Sequence, residues 1–138
     1  MRSVAIPALA ALLAACSGSP SEPAAPGHVR FAALATSYRA GDTVRAELRN
    51  TGETGVGYNF CDSRLERMEA FGWALAGSDS GPRPCLDILY NLKPGETAPT
   101  FRVLPAGTEP GTYRLRMEVS VDRARGNVVR TEPFTVRR

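Results

Sequence analysis

The stretch Gly111-Thr112-Tyr113-Arg114-Leu115-Arg116-Met117-Glu118-Val119-Ser120-Val121 runs with a strict period of two. Tyr113, Leu115, Met117, Val119 and Val121 fall on one side, while Arg114, Arg116, Glu118, Ser120 and then Asp122 fall on the other. Successive side chains of a strand point to opposite faces, so this pattern predicts a long strand with one face on a core and one in water. Pro110-Gly111 makes a tight turn into it, and Arg123-Ala124-Arg125-Gly126-Asn127 turns the chain back.

The same period continues outward in both directions. Val128 to Val136 closes the chain, with Phe134 and Val136 inward and Pro133 marking an edge or a bulge. Upstream, Phe101 and Val103 alternate with Thr100 and Arg102. Leu92-Lys93-Pro94-Gly95-Glu96 is a turn, in which Pro presets φ and Gly accepts a positive one. Leu86, Ile88 and Tyr90 share a face, and a Gly/Ser/Pro loop runs from Gly77 to Pro84. Leu65 to Ala70 and Trp73 to Ala76 form a hairpin about Phe71-Gly72. Val56, Tyr58 and Phe60 make a third strand, ahead of which Asn50-Thr51-Gly52-Glu53 turns. Val44, Ala46 and Leu48 alternate with Arg45, Glu47 and Arg49, behind a Gly41-Asp42 turn and a first strand carrying Phe31, Ala33 and Ala35. Seven to nine short antiparallel strands without a helix predict an all-β sandwich.

The N-terminus is of another kind. Arg2 precedes an apolar run from Val4 to Leu12, which is too short to span a bilayer core of ~30 Å and fits an export signal. Leu13-Ala14-Ala15-Cys16 resembles a bacterial lipobox. The resemblance implies removal of residues 1–15 as a lipoprotein signal peptide and lipidation of Cys16; an ordinary secretory signal ending by chance at a cysteine is the alternative. Several acyl chains anchor firmly, at about 0.8 kcal/mol per buried CH₂. Ser17, rather than Asp, follows the cysteine, which is compatible with sorting to the outer membrane of a Gram-negative cell. Residues 16–27 then form a Ser/Gly/Pro tether with almost nothing to bury, and 28–138 the folded domain.

Cleavage removes Arg2 and leaves 16 basic against 14 acidic residues. So small an excess, almost wholly arginine (Lys93 is the lone lysine), argues against nucleic acid as a partner. With Cys16 spent on lipid, Cys61 and Cys85 are an even pair in an exported domain, for which a disulfide is the default; metal ligation is the alternative, with no histidine or third thiol near to complete a zinc site. The bond would close a loop of about 25 residues, stabilising by roughly 3–4 kcal/mol.

Chemistry-bearing residues are sparse. His28, the single histidine, lies where the tether meets the domain, which does not suit a catalytic triad. Asp62, Asp79 and Asp87 lack the spacing of a calcium loop and read as solvated carboxylates. Arg64 and Arg67 beside Glu66 and Glu69 read as a mixed charged face. Trp73 and Tyr58 would serve either as a stacking patch for sugar or peptide or as core, and core is the expectation in a domain with few large side chains. No catalytic residue, metal site or cofactor is expected.

Taken in order, Ala40-Gly41-Asp42-Thr43-Val44, Asn50-Thr51-Gly52, Trp73, Leu92-x-Pro94-Gly95-Glu96, Pro110-Gly111-Thr112-Tyr113-Arg114 and Pro133-Phe134-Thr135-Val136 resemble a bacterial immunoglobulin-like domain of exported lipoproteins, over Val29 to Val136. The two Pro-Gly turns also resemble the BsuPI type of intracellular proteinase inhibitor, another β-sandwich. Cys61 and Cys85 have the parity opposite to Tyr58 and Phe60 and to Leu86 and Ile88, so their disulfide would staple strand ends rather than cross the core as in antibody domains. The resemblance implies a non-catalytic, lipid-anchored cell-envelope module, facing the periplasm or the cell surface, that acts by binding a partner not identified by the sequence, with an envelope protein or a glycan as candidates, or by supporting an envelope assembly. A protease inhibitor acting through the Asp62–Pro84 loop is the alternative, and an enzyme ranks last.

Overall fold

The structure, a computed structural model, describes residues 26–77, 86, 88–121 and 124–138. The expected signal peptide, the expected lipidation site Cys16, the part of the expected tether up to residue 25, most of the expected 77–84 loop, and Asp79, Cys85, Asp87 and Asp122 lie outside the described residues. Among the described residues no helix is long and apolar enough to cross a membrane.

Eleven strand segments are present among the described residues: β1 Val29–Ala33, β2 Ser37–Arg39, β3 Thr43–Asn50, β4 Val56–Tyr58, β5 Arg64–Glu69, β6 Gly72–Leu75, β7 Tyr90–Leu92, β8 Thr97–Val103, β9 Gly111–Val121, β10 Ala124–Arg130 and β11 Phe134–Arg137. They form two sheets. Sheet A has the order β1-β3-β8, and sheet B runs β2-β11-β9-β4-β7 with β10 and β5 also on β9 and β6 on β5. β9, the strand quoted at the outset, is the axle of sheet B. One of its edges takes β11 and then β10; the other takes β5 and then β4. Each flanking pair is thus one strand with an interruption, which brings the eleven segments to nine strand paths.

The fold is an immunoglobulin-like all-β sandwich. β1 pairs antiparallel with β3 in one sheet, and β2 then crosses to pair with β11 in the other. The β2–β11 pair is parallel, a departure from the all-antiparallel expectation. Tyr113, at the start of β9, donates its hydroxyl to the Glu109 carbonyl at 2.8 Å, the tyrosine corner of such sandwiches.

Burial follows the alternation. On β9 Tyr113, Leu115, Met117, Val119 and Val121 are all buried, in one apolar cluster with Val44, Ala46 and Leu48 of β3 in the other sheet and with Phe134 and Val136 of β11 alongside in the same sheet. Gly41, Gly72 and Gly95 take φ of 88°, 125° and 79° at turns where the sequence placed them, values that L side chains adopt only under strain. The break between β10 and β11 holds Pro133. There Thr131 replaces the lost ladder, accepting from the Leu115 N–H with its hydroxyl and donating its own N–H to the Leu115 carbonyl.

Three further expectations are corrected. Phe60 does not continue the third strand: Asn59 accepts the Cys61 N–H at 3.0 Å and caps a 3₁₀ turn, Phe60–Asp62, because a local side-chain bond competes with the ladder. Leu86 and Ile88 precede β7 and are exposed, and it is Leu92 that β7 buries. On β8 the inward parity belongs to Ala98 and Leu104, leaving Phe101 and Val103 outside.

Candidate binding face on the larger sheet

The outward side of sheet B is assembled by register. Arg64 stands opposite Arg116, Glu66 opposite Arg114, and Arg130 opposite Arg116 from the other side. Met68 stands opposite Trp73, and Glu66 opposite Leu75. Side chains of directly paired residues share a face, so four arginines, Glu66, Met68, Trp73 and Leu75 form one layer. Glu118 borders it, ion-paired with Arg116 at 3.5 Å.

Glu66 organises this layer. It is 7% exposed although it lies on the outside of the sheet, because arginine side chains lie over it. Arg114 Nε donates to its Oε2 at 2.6 Å, Arg116 Nε is 3.7 Å from Oε1, and Arg130 Nε is 4.0 Å from Oε2. The Arg114 guanidinium carbon also stacks 4.2 Å above the Trp73 ring, a cation–π geometry worth about 0.5–2 kcal/mol. Arg114 is thereby held by a carboxylate and an indole together, and the long side chains are ordered before any partner arrives.

Trp73 is therefore not core. It is half-buried, outside the apolar cluster between the sheets, and its burial comes from the outer arginine layer. Tyr58 behaves as expected: it packs on the core with Phe60 at 4.8 Å and Tyr90 at 5.6 Å between ring centroids. Burial, with Tyr90 and Glu96 adding to it, holds its hydroxyl above the usual phenol range. The charged quartet also divides. Arg64 and Glu66 face outward, whereas Arg67 is paired with Glu109 and Glu69 and stacks on Tyr113 at the end of the sandwich.

That end is the far one. β1 begins opposite Asn50, whereas the β5–β6 hairpin tip, the 104–110 loop and the C-terminus gather at the Gly111 end of β9. Phe71 sits fully exposed at the hairpin tip. At this end a cavity of about 430 Å³ opens between Leu65, Arg67, Leu75, Pro105, Glu109 and Tyr113. Burial raises the Tyr113 hydroxyl above its ordinary range, Arg67 opposes this, and Glu109 and Glu69 add to it.

The remaining residues of interest do not gather. His28 packs its ring on Gly52 and accepts from Thr51 through its carbonyl. Asp62 ends the 3₁₀ turn, and no cluster of three potential metal ligands occurs among the described residues. Cys61 is in that same turn, and Cys85 lies outside the described residues. From Asp62 to Gly77, the segment considered as an inhibitory loop is built into sheet B as β5 and β6. The arginine layer escaped the sequence reading because its members come from β5, β9 and β10; the usable signal was the pair of outward arginines, Arg114 and Arg116, on alternate positions of β9.

No protein-family model matches the chain, and no curated protein sequence matches it. Among solved structures, the chain is similar to one of the Salmonella enterica SafA pilin in complex with the SafB chaperone, with a TM-score of 0.44, 12% identity, and coverage of 79% of this chain and 53% of that one. It thus spans about half the length of that chain. It is also similar to the ASH/PapD-like domain of human CEP192, with a TM-score of 0.32, 15% identity, and coverage of 98% and 94%.

Proposed function

We propose that this chain is a lipid-anchored cell-envelope protein whose immunoglobulin-like sandwich is a non-catalytic binding module, holding an acidic protein partner on the outer face of sheet B. The observation that carries the reading is the Arg114 guanidinium, clamped between Glu66 and Trp73 within a layer of four arginines and two glutamates. Tryptophan and arginine are the residue types that concentrate binding energy at protein interfaces. Ordering them beforehand lowers the entropy lost on association. Met68 and Leu75 are each more than 40% exposed beside them and supply apolar area. A net positive field favours a partner with complementary acidic groups and makes its association salt-dependent.

In this reading Cys16 carries the lipid, residues 16–27 are the tether, and the module faces the periplasm or the cell surface. A Cys61–Cys85 disulfide would secure the segment after the 3₁₀ turn. The hairpin tip with Phe71 lies at the opposite end of the sandwich from the start of β1, where the tether would join.

The test is photo-cross-linking in intact cells with a photoreactive residue at Leu75, compared with one at Arg45 on the outside of sheet A. A defined adduct from Leu75 alone, diminished by Arg116→Glu and by added salt, supports the reading. Equal adducts from both faces, or none, refute it. Fatty-acid labelling lost in Cys16→Ser tests the anchor independently.

A further inference from the structure

We infer that two copies of this chain pair edge to edge through β8, antiparallel about a two-fold axis at Thr100, joining their A sheets into one. This goes beyond the binding role proposed for sheet B and concerns the opposite sheet.

β8 pairs with β3 alone among the described residues, from Thr97↔Arg49 to Val103↔Thr43. The ladder bonds at its two ends, Asn50 N–H to the Glu96 carbonyl at 3.1 Å and Leu104 N–H to the Asp42 carbonyl at 2.8 Å, fix which parity faces β3. Backbone groups alternate direction in an antiparallel pair. Residues 98, 100 and 102 therefore bond inward to β3, while Thr97, Pro99, Phe101 and Val103 direct theirs to the open edge. Edges are ordinarily blunted by lysines, bulges or prolines. Here Pro99 removes one donor, but Phe101 and Val103 remain 72% and 56% exposed, with their N–H groups on the edge.

A second copy fits this edge better than an arbitrary strand, because the edge is self-complementary in one register. Centred on Thr100, Thr97 faces Val103 of the other copy and exchanges both bonds with it. The Phe101 N–H meets the Pro99 carbonyl of the other copy. Every edge donor then has an acceptor; the one ladder bond lost to proline leaves the Phe101 carbonyl beside the two-fold axis without a backbone donor. On the outer face each Phe101 lies over the opposite Pro99. Arg102 stands across from Ala98, and Thr100 from Thr100. Moving the axis to Arg102 would instead oppose like charges, which is destabilising; moving it to Phe101 leaves the Thr97 N–H without a strand partner.

Thr100 and its copy would form a non-hydrogen-bonded pair, the closest cross-strand geometry, within reach of a disulfide. The experiment uses the full-length chain. Sedimentation across a dilution series should show a reversible dimer. Oxidised Thr100→Cys should give, by mass spectrometry, a peptide disulfide-linked to its own copy at the substituted position, and Thr97→Cys should give no self-linked peptide. Phe101→Lys and Val103→Pro, each verified as folded by circular dichroism, should both be monomeric. Either variant alone suffices if the other does not fold. A chain monomeric at every concentration overturns the proposal, as does a dimer that survives these substitutions or a self-link from Thr97→Cys in place of Thr100→Cys.

Discussion

Asn50 offers the sharpest test of how the two sheets are held together. Its side chain is fully buried at the end of β3. Its amide donates to the Thr54 carbonyl at 2.7 Å and to the Leu92 carbonyl of β7 at 3.0 Å, and its oxygen accepts the Gly52 N–H at 2.9 Å. The Leu92 bond is buried and joins sheet A to sheet B; the other two are half-buried and close the 50–54 turn. Replacing Asn50 by Ala removes the buried bond to the Leu92 carbonyl, which keeps only its ladder pairing with Val56, at about 1–1.5 kcal/mol, and removes two turn bonds of about 0.5–1 kcal/mol each. The expected loss is about 3 kcal/mol, a large part of the 5–15 kcal/mol typical of a domain. Urea unfolding under non-reducing conditions, followed by far-ultraviolet circular dichroism, measures it. Asn50→Asp sharpens the reasoning, because a carboxylate keeps the shape but turns both donations into repulsions. Its folded-state pKa would be raised, so its penalty is absent below the unfolded value of about 4 and grows as pH rises. A loss under about 1 kcal/mol for Ala, or an Asp variant as stable as the parent at neutral pH, would refute the assignment.

Further outcomes follow from the same geometry. Glu66→Ala should cost about 2–4 kcal/mol, since three arginines lose their shared carboxylate, and raising the salt concentration should recover part of the loss in urea midpoints; Glu66→Gln should cost less. Tyr58 and Tyr113 are both held above the ordinary phenol range, so their neutral forms favour the folded state. The contribution is complete below the unfolded pKa of about 10 and is lost as pH rises through the folded values. Urea midpoints should fall across that range in the parent and fall less in a Tyr58→Phe, Tyr113→Phe chain. Gly52→Ala places a Cβ 2.7 Å from the His28 ring; an expected loss of about 1–2 kcal/mol should be relieved by His28→Ala in a double-mutant cycle.

Strand identity was legible because it is a local property. The alternation in β3 and β9 and the turn residues Gly41, Gly72 and Gly95 each act within a few residues, and all recur in the structure. β8 shows where legibility ends. Both of its parities carry apolar residues, and the larger pair, Phe101 and Val103, is the one left outside. The bonds from Asn50 and Asp42 set the register to β3, and that register selects the inward parity. Trp73 misled for a related reason: size argued for the core, yet its place opposite Met68 puts it on the outer face, where Arg114 covers it.

By itself the sequence determined an all-β chain, its strand-by-strand alternation and most of its turns, since backbone period and turn chemistry depend on near neighbours. It also set the lipobox-like tetrapeptide apart from the domain. Only the tertiary structure decided which side of β8 is buried, and that Glu66 lies under arginines from two other strands. It alone brought Asn50 to Leu92, 42 residues away, and Arg114 to Glu66, 48 residues away. Such contacts exist once strands have paired in one register, and a shift of a single residue would carry every one of these side chains to the other face.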